Sequence, residues 1–142
     1  MIEKHTYDEL WLKYLDMVQA VVVRLSASSA NFKNYCITLV TAIIGFGLTD
    51  TNIDPLPLAA IPIIAFGYLD ARYLRLERAF RVLFNQLRDS DWTVRPSFDL
   101  DLKSEHFRRH PFIRAICTWT VLGFYGPLLI GVVIVYCLQA VT

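Results

Sequence analysis

Residues 115–138 read AICTWTVLGFYGPLLIGVVIVYCL, a run of 24 residues without a charged side chain. Twelve of them are Ile, Leu, Val or Phe, and each contributes about −0.3 to −0.6 kcal/mol towards insertion into a bilayer. A helix of this length reaches about 36 Å, more than the ~30 Å hydrocarbon core. A chain of 142 residues cannot cover such a helix on every side. The stretch therefore predicts a transmembrane helix.

Two shorter apolar blocks precede this stretch, at residues 34–48 and 55–69. The first can cross a bilayer only if its helix begins earlier and Lys33 extends to the headgroups. The second contains three prolines, of which the first two suit a helix start and Pro62 predicts a kink. Residues 49–54 leave room only for a tight turn, so we predict a transmembrane hairpin. The alternative is a re-entrant pair that never exits on the far side.

The three blocks together predict an all-α integral membrane protein, one domain spanning residues 1–142 with about three transmembrane helices. The chain is 55% hydrophobic, with a mean hydropathy of +0.41, which is high for a water-soluble protein of this size. Its apolar residues are collected in the blocks and its charges lie between them. Such segregation is typical of a chain whose solvent is partly lipid.

The basic residues predict the orientation. Residues 1–34 hold four Lys or Arg, residues 70–114 hold ten, and residues 49–54 and the tail beyond 115 hold none. In a three-span arrangement all 14 lie on one side, and the positive-inside rule assigns that side to the cytoplasm. We therefore expect the bacterial inner membrane, with the N-terminus cytoplasmic and the C-terminus outside.

The N-terminal segment, residues 1–33, predicts one long cytoplasmic helix, because no Pro or Gly interrupts the chain before Gly45. Its apolar residues recur at alternating spacings of four and three, which is the pattern of a coiled-coil seam. We expect a second copy of the chain to pack on this seam; the alternative is that the seam packs on another helix of the same chain. The expected oligomer contacts are Trp11, Tyr14, Val18 and Leu25 in the seam, and Gly45 and Gly47 in the first apolar block.

The segment after the second block, residues 70–111, predicts a cytoplasmic amphipathic helix to about residue 88, then a loop with a short helix near 100–109. Arginines recur every third residue at Arg72, Arg75, Arg78 and Arg81. Voltage sensing would require the row inside the membrane, whereas here it follows the apolar block. We expect these arginines to bind lipid headgroups, a nucleotide or a protein partner.

No motif predicts catalysis or a cofactor. The sequence contains neither a nucleophile elbow nor a phosphate-binding glycine loop, and all three cysteines lie in apolar blocks. His106 and His110 have the spacing of two metal ligands on a helix, but Pro111 biases His110 away from helix and the glutamate of zinc proteases is missing. We expect no enzyme activity, no cofactor, no bound metal and no direct contact with nucleic acid.

Residues 66–84, FGYLDARYLRLERAFRVLF, resemble a group of small bacterial multi-span membrane proteins. Their pattern reads approximately F-x-x-L-D-A-x-Y-L-R-x-E-R-x-F-R-x-L-Y, and Phe84 replaces the final Tyr here. Residues 24–40 and 124–127 resemble other parts of the same proteins. That group has no assigned chemistry, so the resemblance implies an architecture and no functional residue.

In architecture the chain also resembles the small membrane effectors of phage defence, including the SLATT type. This looser similarity implies an oligomeric membrane component of a bacterial stress or phage-defence system, which alters membrane permeability or relays a signal. The alternative is a membrane scaffold subunit whose arginine-bearing helix recruits a cytoplasmic partner encoded in the same operon. In either case the expected partners are the lipid bilayer and other copies of the chain.

Overall fold

In a computed structural model, which describes residues 2–49, 55–108 and 111–141, the chain is all-helical, and no strand occurs within those ranges. This confirms the all-α part of the predicted fold class. The helices are α1 (Ile2–Thr49), α2 (Pro55–Arg88), α3 (Ser104–Arg108), α4 (Phe112–Ile116) and α5 (Trp119–Val141). The turn predicted at the hairpin tip falls on residues 50–54, outside the described part of the chain.

The two long helices confirm two predictions from the sequence. α1 continues without a break over 48 residues, about 72 Å, so it is more than twice as long as the hydrocarbon core is thick. α2 begins at Pro55, which suits the first turn of a helix, and continues through the arginine row to Arg88. The short helix expected near residues 100–109 is α3.

α1 and α2 pack antiparallel along most of their length, and their contacts form two separate clusters. The apolar cluster joins the second half of α1, the first half of α2, α4 and α5. Its buried members are Cys36, Val40, Ala59, Ile63, Ala71, Ala115, Val121, Tyr125 and Val132. The aromatic cluster joins the opposite ends of the same two helices. Its buried members are Trp11, Tyr14, Val18 and Leu83, with Tyr7, Phe80, Phe84, Leu87, Trp92, Phe98, Leu100 and Leu102 packed around them.

The strap, residues 89–103, closes the aromatic cluster and has no regular secondary structure. The Trp92 ring stacks on the Trp11 ring with centroids 6.2 Å apart, and the Trp11 indole Nε1 donates to the Val94 carbonyl at 2.8 Å. The Tyr14 hydroxyl donates to the Asp99 carbonyl. The strap thus covers the first two turns of the seam with its own aromatic rings.

The last apolar stretch is interrupted near its start. α4 ends at Ile116, a turn occupies Cys117 and Thr118, and α5 begins at Trp119. The Thr118 carbonyl accepts the first backbone hydrogen bonds of α5, from Val121 and Leu122, and the Thr118 hydroxyl donates to the Arg114 carbonyl. The predicted single helix over residues 115–138 is therefore divided in two: Ala115 and Ile116 belong to α4, and α5 begins only at Trp119, after the turn at Cys117 and Thr118.

One helix among the described residues is long and apolar enough to cross a membrane. It covers Trp119–Leu138, with a mean hydropathy of 2.3 and little of its surface buried. By length and composition alone this is weak evidence for a membrane, and it does not support about three transmembrane helices. The apolar part of α1 is short and preceded by Lys33, and α2 reaches Asp70 fifteen residues after its start.

Two prolines lie inside the apolar helices, Pro62 in α2 and Pro127 in α5. Each lacks the N–H that would bond to the carbonyl four residues earlier. The two helices contact one another closely where the Gly67 backbone meets the Tyr125 ring, since a Cβ atom added at Gly67 would lie 3.6 Å from that ring.

Candidate functional site

A buried ion pair joins α1 to α2 between the apolar and the aromatic clusters. The Lys33 Nζ lies 2.7 Å from the Asp70 Oδ2, and the Ser29 hydroxyl donates to the Asp70 Oδ1. Asp70 is fully buried, whereas 18% of the Lys33 side chain is exposed. α1 therefore contacts both carboxylate oxygens of Asp70, Oδ1 through a hydrogen bond and Oδ2 through the ion pair alone.

Side chains from α1, α2 and α5 form this site. We name it the junction cluster and define it as Ser29 and Lys33 of α1, Asp70 of α2 and Tyr125 of α5. Ser29 and Lys33 lie one helical turn apart on α1, and the Lys33 ammonium also donates to the Ser29 hydroxyl at 3.0 Å. Tyr125 of α5 is buried, packs beside Gly67 of α2, and makes no hydrogen bond through its hydroxyl within the described residues. The ion pair thus joins α1 to α2, and Tyr125 packs α5 against α2 near the same level.

The ion pair of the junction cluster opposes movement of α1 relative to α2. A buried carboxylate without a partner is strongly destabilising, and here the compensating charge comes from the other helix. Sliding or rotating α1 against α2 would separate Lys33 from Asp70 and leave both charges unpaired. The ammonium already occupies the place that a cation would take beside the carboxylate.

Sequence reasoning missed this site. Lys33 was expected to extend to the headgroups, but its ammonium faces Asp70. A signal was present, because Lys33 lies 16 residues before Thr49 and Asp70 lies 15 residues after Pro55. In an antiparallel hairpin, residues at equal distances from the turn lie at the same level.

The arginine row does not form one continuous free face. The Arg75 guanidinium lies over the Phe107 ring at 4.9 Å, Arg78 donates to the Thr118 hydroxyl at 3.0 Å, and Arg81 pairs with Glu77 at 2.7 Å. Arg72 and Arg81 are exposed. Glu77, expected on the polar face, is buried. Three of the four arginines therefore hold contacts within the chain.

The residues expected to contact a second copy fall into two groups. α2 and the strap bury three of the seam residues, Trp11, Tyr14 and Val18. The seam therefore packs within its own chain, which was the alternative prediction, and little of these side chains is left for contact with another copy. Leu25 is half-buried. In the first apolar block Gly47 is buried, whereas Gly45 is exposed with open space where a side chain would lie.

His106 is a structural residue. Its Nε2 lies 2.8 Å from the Gln86 Oε1, and its Nδ1 contacts the backbone of Lys103, so the buried ring fixes α3 on α2. The other half of the possible metal pair, His110, lies outside the described residues. No group of three or more His, Cys, Asp or Glu that could hold a metal occurs in the part of the chain that the structure describes.

Comparison with known proteins finds no matching family model, no similar curated protein and no similar solved structure. The junction cluster and the exposed surfaces of the three long helices are therefore the observations on which a function can be argued.

Proposed function

We propose that the chain is a bacterial membrane component that relays a signal between a cytoplasmic helical layer and the membrane, as a homo-oligomer in a stress or phage-defence system. One observation carries the relay. α1 and α2 each continue unbroken from the aromatic cluster into the apolar cluster, and a buried ion pair joins them where the clusters meet. A change at one end of this helix pair is thereby transmitted to the other.

The proposed membrane region contains the apolar parts of α1, α2 and α5. These helices share the apolar cluster, so they would lie at the same depth as α5. Large apolar side chains also point outward from all three: Phe46 is 74% exposed, Ile64 68% and Ile134 54%. An exposed apolar surface of this extent is rare on a soluble monomer and typical of contact with lipid or a partner.

The proposed orientation follows from the distribution of charge. The aromatic cluster, the strap and the arginine row lie on one side of the junction cluster, with all the basic residues outside the apolar parts. The positive-inside rule supports a cytoplasmic location for that side. α5 then begins at the cytoplasmic boundary and ends outside.

A polar stripe on α1 supports self-association. Asn34, Thr38, Thr41 and Gly45 lie within about 60° of arc on one exposed face, opposite the face that Cys36 and Val40 bury. The Thr38 hydroxyl donates to the Asn34 carbonyl at 2.9 Å, and the Asn34 amide and the space at Gly45 favour a polar or closely packed neighbour in lipid. A second copy supplies one, and a monomer in light scattering corrected for bound detergent would remove the oligomer from the proposal.

The same stripe favours a second candidate function, a change of membrane permeability. Several copies arranged with Asn34, Thr38 and Thr41 towards a common axis would line that axis with hydroxyl and amide groups. The scaffold alternative has less support, because Arg75, Arg78 and Arg81 already hold contacts within the chain. Its remaining support is the exposure of Arg72 and of Arg81, whose side chain is 63% exposed.

The relay is tested by disturbing one end and measuring the other. Trp92→Ala removes the ring that stacks on Trp11 at the cytoplasmic end, and the alkylation rate of Cys137, an exposed thiol near the end of α5, reports on the opposite end of the proposed membrane region. In a Cys117→Ser background we expect Trp92→Ala to change this rate about fivefold, equivalent to a coupling of roughly 1 kcal/mol.

The decisive comparison uses a chain without the ion pair. Lys33→Met alone should destabilise by about 3–5 kcal/mol, because Asp70 stays buried and unpaired, whereas Lys33→Met with Asp70→Leu should recover most of that stability. In the double variant Trp92→Ala should leave the Cys137 rate nearly unchanged. Val94→Ala, at an exposed strap residue, is the matched control. An equal effect of Trp92→Ala with and without the ion pair would refute the relay.

A further inference from the structure

An apolar groove opens between α2 and α5 on the outer surface of the proposed membrane region. It has a volume of about 380 Å³. Its walls include Ile64, Gly67 and Tyr68 from α2 and Leu122, Gly126 and Leu129 from α5. Gly126 leaves open space where a side chain would lie, so the groove exists because two glycines face it.

A small pocket with two guanidinium groups lies one helical turn beyond the groove, towards the cytoplasmic layer. It has a volume of about 140 Å³ and is lined by Arg72, Arg75, Leu76 and Phe107. Arg72 follows the groove residue Tyr68 by four positions, so it lies on the same face of α2 about 6 Å further along. The groove and the arginine pocket are therefore two neighbouring cavities in line along one side of α2.

The two arginines differ in how they are held. The Arg75 guanidinium lies over the Phe107 ring, which fixes its position. Arg72 is exposed and makes no ion pair within the described residues. Below them, the Tyr68 and Phe112 rings meet edge to face at 5.5 Å, and aromatic pairs of this kind are common at the membrane–water boundary. From its N-terminal half onwards, α2 thus carries first the apolar groove, then the aromatic pair and then the two arginines.

We propose that this surface binds an anionic phospholipid, with an acyl chain in the groove and the phosphate at Arg72 and Arg75. The inference rests on the proposed membrane location. Acyl chains surround any membrane helix, so the groove alone selects no lipid; the preference comes from guanidinium groups, which bind phosphate oxygens in pairs. A helix of a second copy would fill the groove but would leave the exposed Arg72 guanidinium without an anion, so charge complementarity favours the lipid.

The test measures which lipid remains bound to the full chain. The protein, purified in a non-ionic detergent, is mixed with equal amounts of phosphatidylglycerol and phosphatidylcholine, and bound lipids are counted by native mass spectrometry. We expect more phosphatidylglycerol than phosphatidylcholine. Arg72→Gln should lower that ratio about fivefold, since one cation near an anionic lipid contributes a factor of that order. Gly126→Leu should fill the groove and reduce binding of both lipids.

Matched controls separate the site from the rest of the molecule. Gly131 is also on α5 with open space at its Cβ position but lies outside the groove, and Arg88 is a second exposed arginine of α2. Gly131→Leu and Arg88→Gln should bind lipid as the native chain does. Equal binding of the two lipids by the native chain, or unchanged binding by Gly126→Leu, would overturn the site. So would dissociation of an oligomer by Gly126→Leu without lipid loss, which would assign the groove to a second copy. A chain that stays soluble without detergent would refute the membrane function itself.

Discussion

The apolar and aromatic clusters lie on the same two helices yet are built from different side chains. The aromatic cluster uses large rings with polar atoms: Trp11 donates to Val94, and Tyr14 donates to Asp99. The apolar cluster uses mostly small and aliphatic residues, such as Ala59, Ile63 and Val132. The aromatic cluster is closed on its outside by the strap, whereas the apolar cluster is surrounded by exposed apolar side chains.

Under the proposed membrane location the two regions have different solvents, water around the aromatic cluster and lipid around the apolar cluster. In water, burial of large rings is itself the driving force, about 25 cal/mol per Å² of apolar surface. In lipid that force is absent, and close packing of small residues takes its place. The comparison therefore predicts that equivalent changes in the two clusters have unequal effects.

The largest expected effect is a difference in the side of the membrane on which reporter domains fused to the two regions lie. Reporter domains fused after Leu87 and after Thr142 should lie in opposite compartments, the first cytoplasmic and the second outside, because α5 crosses once between them. The measurement is the activity of a reporter that works on one side only, with expression checked by immunoblot. Both reporters in the cytoplasm would mean that α5 does not span.

A smaller effect compares two valines with the same burial. Val18 in the aromatic cluster and Val40 in the apolar cluster are 0% and 1% exposed. Val18→Ala should lower the free energy of unfolding by about 2–3 kcal/mol, from two lost methyl groups and a cavity. Val40→Ala should cost about 1 kcal/mol, because only packing contacts are lost. The free energies of unfolding of both variants are measured by denaturation in the same detergent. Equal losses of stability would contradict a lipid-exposed apolar region.

The smallest effect concerns one hydroxyl of the aromatic cluster. Tyr14→Phe removes the bond to the Asp99 carbonyl and should cost about 1 kcal/mol at neutral pH. Burial, and to a lesser extent the Asp99 charge, raises the pKa of Tyr14 above its usual value of 10.0. The folded state then keeps a proton that the unfolded state has lost, so stability is complete below about pH 10 and falls as the pH rises further.

The melting temperature at pH 8 and pH 11 measures this dependence. The native chain should lose stability between the two values, and Tyr14→Phe should lose less. Tyr68→Phe, at an exposed tyrosine outside the aromatic cluster, is the control. The same loss in the native chain and in Tyr14→Phe would show that Tyr14 is not the group responsible.

The helices could be predicted from local sequence, because the absence of Pro and Gly before Gly45 and the amphipathic pattern after Asp70 act within one or two turns. The junction cluster could not be found from the same patterns, since Lys33 and Asp70 are 37 positions apart and each also fits an ordinary role at a helix boundary. The seam was recognised, and packing on another helix of the same chain was one of its two predicted partners, but the strap that covers it was not predicted. Trp92 and Phe98 lie in a segment without periodicity, and only the folded chain brings them over Trp11 and Tyr14.

The two prolines give the apolar helices a shared plane of bending. Gly67 and Tyr125 lie at one level, so Pro62 and Pro127 come within about one turn of the same depth. Each leaves a carbonyl without its helical partner, those of Leu58 and Gly123. Resistance to bending is therefore lowest at this depth in both helices, while α1 beside them has no proline. In the proposed membrane region, α1 is therefore the stiff helix, and α2 and α5 can each bend at a proline. The Lys33–Asp70 pair attaches α1 to α2 on the proposed cytoplasmic side of Pro62.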